Sequence, residues 1–533
     1  MHILGLLPVI FLYAEIHYRF KWFISLLKKD EPEITADAPH RVEPGSKIPV
    51  LCLIKDADRY PIFLKKIEVK IRKSGNIVYL IKKIFQSPID TGLWTHLFEI
   101  PVEKGLKGYI EIDVNFFIIK GKRKKRVINN NYRTATNKSL VTYISENPLP
   151  CDKNWYFGDL HYHTSYTSDQ VEFGAPLIPS ATTAKSLGLK FFAATDHSYD
   201  LDDHPDIPNY NDSDLRKWRM LNREISRLNS ENKDSFTILK GEELSCSNSN
   251  LKNVHLILLN NSNFYPGSGD SAENWFNTNC EYRIAEILNR IEKGVLTFAA
   301  HPLVSPPILQ VIFIKRGIWK LRDIMHGNLT GLQILNGDPD PGFQRGKKLW
   351  INLLLRGSKK IIVAGNDAHG NFNVFRQLFI PFITLREHKR QLFGKSRTGI
   401  YVDGKLCEKS LVSAISKRRV IISNGPFVSF EVETEEGEIY RIGDTGYPGI
   451  GKVNLKSLSS PEFGRLHSLK LIKGIIKDGK EMEEIKIERF QDSHIFEMEK
   501  ELQMKSRTYY RAEVETRKDG KSLICLTNPL WVE

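Results

Sequence analysis

Only six cysteines occur in 533 residues (Cys52, Cys151, Cys246, Cys280, Cys407 and Cys525), and no two form a Cys-x-x-Cys pair. This excludes a zinc ribbon and a disulfide scaffold and leaves mostly buried free thiols. No Gly-x-Ser-x-Gly elbow is present, so nothing calls for a serine nucleophile. Dense runs of one charge are scarce. Lys122–Arg126 is the only one, and it reads as a solvated hairpin turn between the strand-like Tyr109–Ile119 and the polar Asn129–Asn131. The net charge of +14 is otherwise spread along the chain, which suits an anionic partner but marks no nucleic-acid patch.

Long apolar runs are lacking as well. Ile3–Ala14 is interrupted by Pro8 and followed by Glu15, too short for a confident spanning helix. A secretory signal would carry Lys or Arg ahead of that run, and only His2 stands there. Ile16–Leu27 mixes Arg19 and Lys21 with Phe20, Trp22 and Phe23. Peripheral membrane contact through residues 3–27, a weak signal and plain terminal packing all fit, so cytoplasmic and membrane-associated locations both stay open.

What is present is an ordinary folded composition, 41% hydrophobic and 10% aromatic, with a mean hydropathy of −0.32. The length calls for two to four domains. Residues 1–35 form a hydrophobic segment and an acidic linker. Lys47–Lys55, Lys65–Val69, Ile77–Leu80, Leu97–Val102, Tyr109–Ile119 and Leu140–Ile144 read as strands, with Ser74, Gly75 and Asn76 as a turn. Residues 36–150 are therefore expected to be a β-sandwich, and 427–533 a second one.

Residues 151–426 differ. Apolar strands (Phe191–Thr195, Phe236–Leu239, Val254–Leu259, Val295–Ala300, Leu332–Leu335, Ile361–Ala364) alternate with helical stretches such as Asp214–Asn229, Tyr282–Ile291 and Lys348–Leu355. About seven such units predict an α/β barrel. In such barrels the site lies where strands run out. Here those ends carry Asp196-His197, Glu242-Glu243, His301-Pro302 and Asp367-Ala368-His369. The first unit begins Asp159-Leu160-His161-Tyr162-His163, and a period of two turns both histidines to one side, as two ligands of one metal require. Each motif alone has an ordinary structural explanation, and His255, inside an apolar run, reads equally as a buried hydrogen-bonded histidine. Together they point to a polynuclear metal site.

The ordered set Asp-Leu-His-x-His, Thr-Asp-His, Gly-x-Glu, a strand histidine, Ala-His-Pro and Asp-x-His, from Trp155 to Asn373, resembles the PHP (polymerase and histidinol phosphatase) superfamily. Ser423-Asn424-Gly425-Pro426 and Asn528-Pro529 look like its carbaryl-hydrolase-like branch, CehA/McbA. The resemblance implies a distorted (β/α)7 barrel, here flanked by N-terminal and C-terminal β-sandwich domains. It also implies two or three divalent ions (zinc, manganese or iron). His161, His163 and Asp367 would hold the first, and Glu243 would bridge it to a second on His255 and His301. Asp169, His197 and His369 would hold the third. Two departures stand out. Glu242 competes with Glu243 for the bridge, and Asp169 replaces a histidine common in the family, which favours a harder cation.

The activity expected is hydrolysis by a metal-bridged hydroxide, foremost of phosphoesters, with Glu243 and Asp367 catalytic and Asp196 and Asn336 orienting. Arg345 and Arg376 are candidates to meet a small anionic substrate. The branch implies carbamate or amide hydrolysis as the alternative. A non-catalytic metal-binding scaffold is the third reading.

Overall fold

A computed structural model describes residues 31–132, 135–167, 174–205, 207–269, 278–379, 384–476, 479–491 and 493–533. The apolar segment 3–27 and Asp169 lie outside the described residues. No helix among the described residues is long and apolar enough to cross a membrane.

The chain divides into two compact units. The first joins the described residues up to Pro148 with Thr167–Gly188 and Ala368–Phe393. In Ile62–Lys73, Ile67, Val69 and Ile71 are buried while Glu68 and Lys70 between them are partly exposed. Ile62–Lys73 pairs with Asn76–Ile89 across a two-residue turn, where Ser74 and Gly75 both have positive φ (49° and 83°), the backbone twist a tight hairpin needs. Gly108–Lys120 and Arg123–Ile128 pair as a second hairpin, so most of the Lys122–Arg126 run lies on a strand. A three-stranded and a six-stranded sheet share a core of Ile, Val and Leu.

The second unit joins Leu149–Tyr166, Leu189–Asp367 and Gly394–Glu533. One curled sheet runs through it. Its order is Ile361–Gly365, Gly331–Asn336, Leu296–Ala299, Asn253–Leu259, Thr237–Ser247, Phe191–Ala194, Trp155–His163, Arg397–Tyr401, Val420–Ser423 and then the C-terminal strands. The central segments are buried on both faces, hence their unbroken apolar runs.

This corrects the expected (β/α)7 barrel. Strands dominate and the sheet is mixed. Residues 248–252, between Thr237–Ser247 and Asn253–Leu259, are too few for a helical crossover. Those two strands therefore pair antiparallel, Glu243 opposite Ile257 and Ser245 opposite His255. Asn253–Leu259 and Leu296–Ala299 are antiparallel too. Among the described residues, Ile361–Gly365 forms no strand ladder with Trp155–His163. That strand pairs with Arg397–Tyr401 instead, which extends the sheet into the C-terminal strands rather than closing it.

The curl still brings the end of Ile361–Gly365 back to Trp155–His163. Asn366 and Asp367 donate backbone N–H groups to the carbonyl of His161, at 3.3 and 2.9 Å. Gly365 permits this approach, since a Cβ there would stand 2.5 Å from that of His161.

Candidate metal centre

Glu243 lies at the middle of a ring of imidazoles. His161 Nε2 is 3.2 Å from its Oε1, His163 Nε2 3.3 Å from Oε2 and His197 Nδ1 3.1 Å from Oε2. His255 Nδ1 and His301 Nε2 lie 2.6 and 3.4 Å from Oε1. Asp367 Oδ1 sits 3.4 Å from His161 Nε2 and 3.2 Å from His163 Nε2, and Oδ2 is 3.8 Å from His301 Nε2. The strands explain the convergence. His161 and His163 alternate with Leu160 and Tyr162, and His255 is the diagonal cross-strand neighbour of Glu243.

Two of these residues hold unusual backbone. His301 and Asp367 have φ of 30° and 51°, in the left-handed region that costs most residues 1–2 kcal/mol or so. Such outliers gather at functional sites.

The donor set fits a divalent cation. Ligand bonds of about 2.0–2.1 Å in a tetrahedron give ligand–ligand edges of about 3.3–3.4 Å. His161 Nε2 and His163 Nε2 are 3.2 Å apart, and the four distances from these nitrogens to the nearest Glu243 oxygens and to Asp367 Oδ1 are 3.2–3.4 Å. Hydrogen bonding alone leaves this cluster incomplete, because buried Glu243 Oε2 and His301 Nε2 make no hydrogen bond. His197, Glu243 and His255 form a second group of ligand atoms with metal-binding spacing. The resemblance would instead give His197 to a third ion.

The electrostatics of the cluster follow from burial and from the charges that face one another. Burial works against charge on His163, but the facing carboxylates of Asp367 and Glu243 outweigh it and push its pKa up to about 10. Burial likewise opposes ionisation of Glu243, yet the surrounding histidines hold its carboxyl well below the usual range. For His197, burial and then the charge of His163 bring the pKa down to about 4.

Glu242 is a different case. It faces away on the same strand, accepting from Asn261 Nδ2 at 2.9 Å and Ser198 Oγ at 3.4 Å. Burial drives its pKa well above the usual carboxylate range.

No protein-family model and no curated protein matches the chain. Among solved structures, a β-glucuronidase from Bacteroides uniformis is 8% identical, with a TM-score of 0.18 over 94% of this chain and 60% of that one. A glycosyl hydrolase family 2 member from Bacteroides cellulosilyticus is 10% identical, with a TM-score of 0.17 over 95% and 63%. Trypsin-activated α-2-macroglobulin from Escherichia coli is 9% identical, with a TM-score of 0.15 over 96% and 24%. The chain thus spans about 60% of the length of these two glycosidases. Similarity at this level carries no argument about fold or function.

The residues around the cluster sort by their contacts. Asp196 accepts from the backbone N–H and the hydroxyl of Thr164, at 2.7 and 2.8 Å, and so fixes the chain just past His163. Asn336 Oδ1 accepts from Gln333 Nε2 at 3.3 Å, and Gln333 Oε1 lies 2.8 Å from His161 Nδ1. Asp159 is no ligand. It accepts from the N–H groups of His161, Asn366 and Gly394 and from Asn366 Nδ2, tying together the two segments that carry His161 and Asp367.

The two arginines are engaged by other groups. Arg345 donates to Leu303 O and Ser305 Oγ. Arg376, in the first unit, pairs with Glu387. His369 is buried in the short strand Ala368–His369 of the first unit.

Two residues escaped the sequence reading. Gln333 carried a signal, as a polar residue within the apolar run Leu332–Leu335. Arg316, whose guanidinium meets the His255 ring, carried none.

Proposed function

We propose that the chain is a metal-dependent hydrolase, foremost a phosphoesterase, with the PHP-like ligand set on a sheet that is not the PHP barrel. The observation behind this reading is the convergence of His161, His163, Glu243 and Asp367 at tetrahedral-edge spacing, with His197, His255 and His301 around the same carboxylate. Two or more ions of zinc, manganese or iron suit this nitrogen and oxygen donor set. Divalent cations supply Lewis acidity there and make water nucleophilic at neutral pH.

The chain's own groups do the rest. Glu243 and Asp367 compensate cationic charge. Gln333 accepts the Nδ1 proton of His161 and leaves Nε2 as the ring's ligand atom. Asp196 and Asp159 hold the backbone on either side of the two strand histidines. Metal analysis of the purified chain, followed by a screen of aryl phosphates against carbamates and anilides, tests the reading. Stoichiometric metal with selective phosphate-ester hydrolysis supports it, and selective carbamate turnover would move the function to the alternative branch.

A further inference from the structure

In the first unit, the outer face of the six-stranded sheet mixes basic groups with exposed apolar side chains. Register sets this composition, because residues opposite one another on paired strands point to the same side. Lys66 stands opposite Ile84 on one neighbouring strand and Phe117 on the other, and Phe117 stands opposite Arg126. One row across four strands therefore reads Ile84, Lys66, Phe117, Arg126. The next reads Pro88, Phe63, Ile119, Lys124. Side-chain contacts agree with the register, since Lys66 Nζ lies 4.4 Å from the centre of the Phe117 ring. The opposite side of these strands carries core residues such as Ile67, Val69 and Phe116.

The face is positive where it is apolar. Glu68 is shared by Lys66 at 2.7 Å and Lys82 at 3.9 Å. Glu111 and Asp113 lie farther along the sheet, where Arg72 pairs with both. Ile84 is 71% exposed and Leu80, opposite Lys70, is 48% exposed. Large aliphatic groups held in water on a basic sheet face mark a contact surface.

The chemistry of the face selects its partner. A nucleic-acid strand calls for open aromatic faces on which bases stack, but Lys66 covers the Phe117 ring. An anionic lipid surface uses both features, with cations at the headgroups and aliphatic side chains in the interface. The course of the chain agrees. Glu31, where the described residues begin, is ion-paired at 2.6 Å to Lys125 of the basic strand Arg123–Ile128. Only Lys28, Lys29 and Asp30 separate it in the sequence from the mixed apolar and basic stretch Ile16–Leu27. Stable attachment to a membrane takes two such signals rather than one.

We propose that this face docks the protein on an anionic lipid surface, with Lys82, Lys124 and Arg126 at the headgroups and Ile84 and Leu80 in the interface. The inference goes beyond the hydrolase reading and does not depend on it.

Co-sedimentation of the full chain with vesicles tests it, using phosphatidylcholine alone and phosphatidylcholine mixed with phosphatidylserine. The chain should bind the mixed vesicles more tightly, and less so as salt is raised. The double variant Lys82→Gln/Lys124→Gln should bind them roughly 10-fold more weakly or worse. Ile84→Ser should weaken binding roughly 3- to 10-fold, as for one partly inserted side chain. All these side chains are exposed, so thermal melts of the variants should match the wild type. Absence of vesicle binding, equal binding to both vesicle types, or binding undiminished in either variant overturns the assignment. Single-stranded RNA held through the same lysines without vesicle binding would give the face to nucleic acid instead. Self-association broken by Ile84→Ser, again without vesicle binding, would give it to a second copy of the chain.

Discussion

His161 Nδ1 lies 2.8 Å from Gln333 Oε1, and both residues are fully buried. An amide oxygen can only accept, so the ring keeps its proton on Nδ1 and presents Nε2 toward Glu243 and Asp367. Gln333→Leu removes that constraint without adding bulk. Metal affinity should fall roughly 10- to 100-fold, the range seen for partners of metal-bound histidines, with little change in fold. Competition with a chromogenic chelator measures it, and an unchanged affinity would leave Gln333 a packing residue.

The adjacent acids should behave oppositely. Glu243→Ala removes the carboxylate that five imidazoles face and should abolish both metal retention and hydrolysis. Glu242→Gln keeps a neutral, hydrogen-bonding group where burial already disfavours charge. It should retain metal and most activity. Metal content and turnover of the two variants decide the order, and the reverse result would make Glu242 the metal-facing acid.

Metal binding should release protons. Without a cation, His163 holds its proton up to about pH 10 because Asp367 and Glu243 favour the charged ring. A cation must expel that proton, so affinity should rise with pH through the neutral range, about tenfold per unit for each proton released. Titration in weak buffer should show acidification, and pH-independent affinity would contradict the assignment.

Much of the secondary structure follows from local pattern. Runs such as Phe191–Ala194 and Ile361–Gly365 are strands because both faces are buried, and Ile62–Lys73 alternates because one face is wet. Sheet closure is a long-range property, and no local pattern encodes it. The link between Ser247 and Asn253 is too short for a crossover helix, but the apolar runs legible in the sequence, Phe236–Leu239 and Val254–Leu259, leave room for one, because the polar residues from Lys240 to Ser247 hide how far the first strand extends. The ligand-type residues stood out as chemistry-bearing groups at strand ends. Arg316 did not, and Gln333 showed only as a polar residue in an apolar run, because the contacts of both are with neighbours distant in sequence.

Away from the centre, the C-terminal strands hold a buried cation. Arg511 is paired with Glu481 and Glu513, and Lys347 joins at Glu513. Burial opposes ionisation of Glu513, but Arg511 and Lys347 outweigh it and bring its pKa down to about 2. The folded value is depressed, so this stabilisation is complete above the unfolded value near 4.5 and is lost as pH falls toward 2. Glu513→Gln should cost about 1–3 kcal/mol at neutral pH and flatten the stability profile between pH 4.5 and 2. Thermal melts across that window check both.

The most direct test of the central claim is metal analysis of the purified full chain, paired with hydrolysis of an aryl phosphate before and after metal removal. The account predicts at least one tightly held divalent ion per chain, activity lost on chelation and restored by manganese or zinc, and neither in Glu243→Ala. Activity that survives complete metal removal, or metal bound equally well by Glu243→Ala, would contradict it.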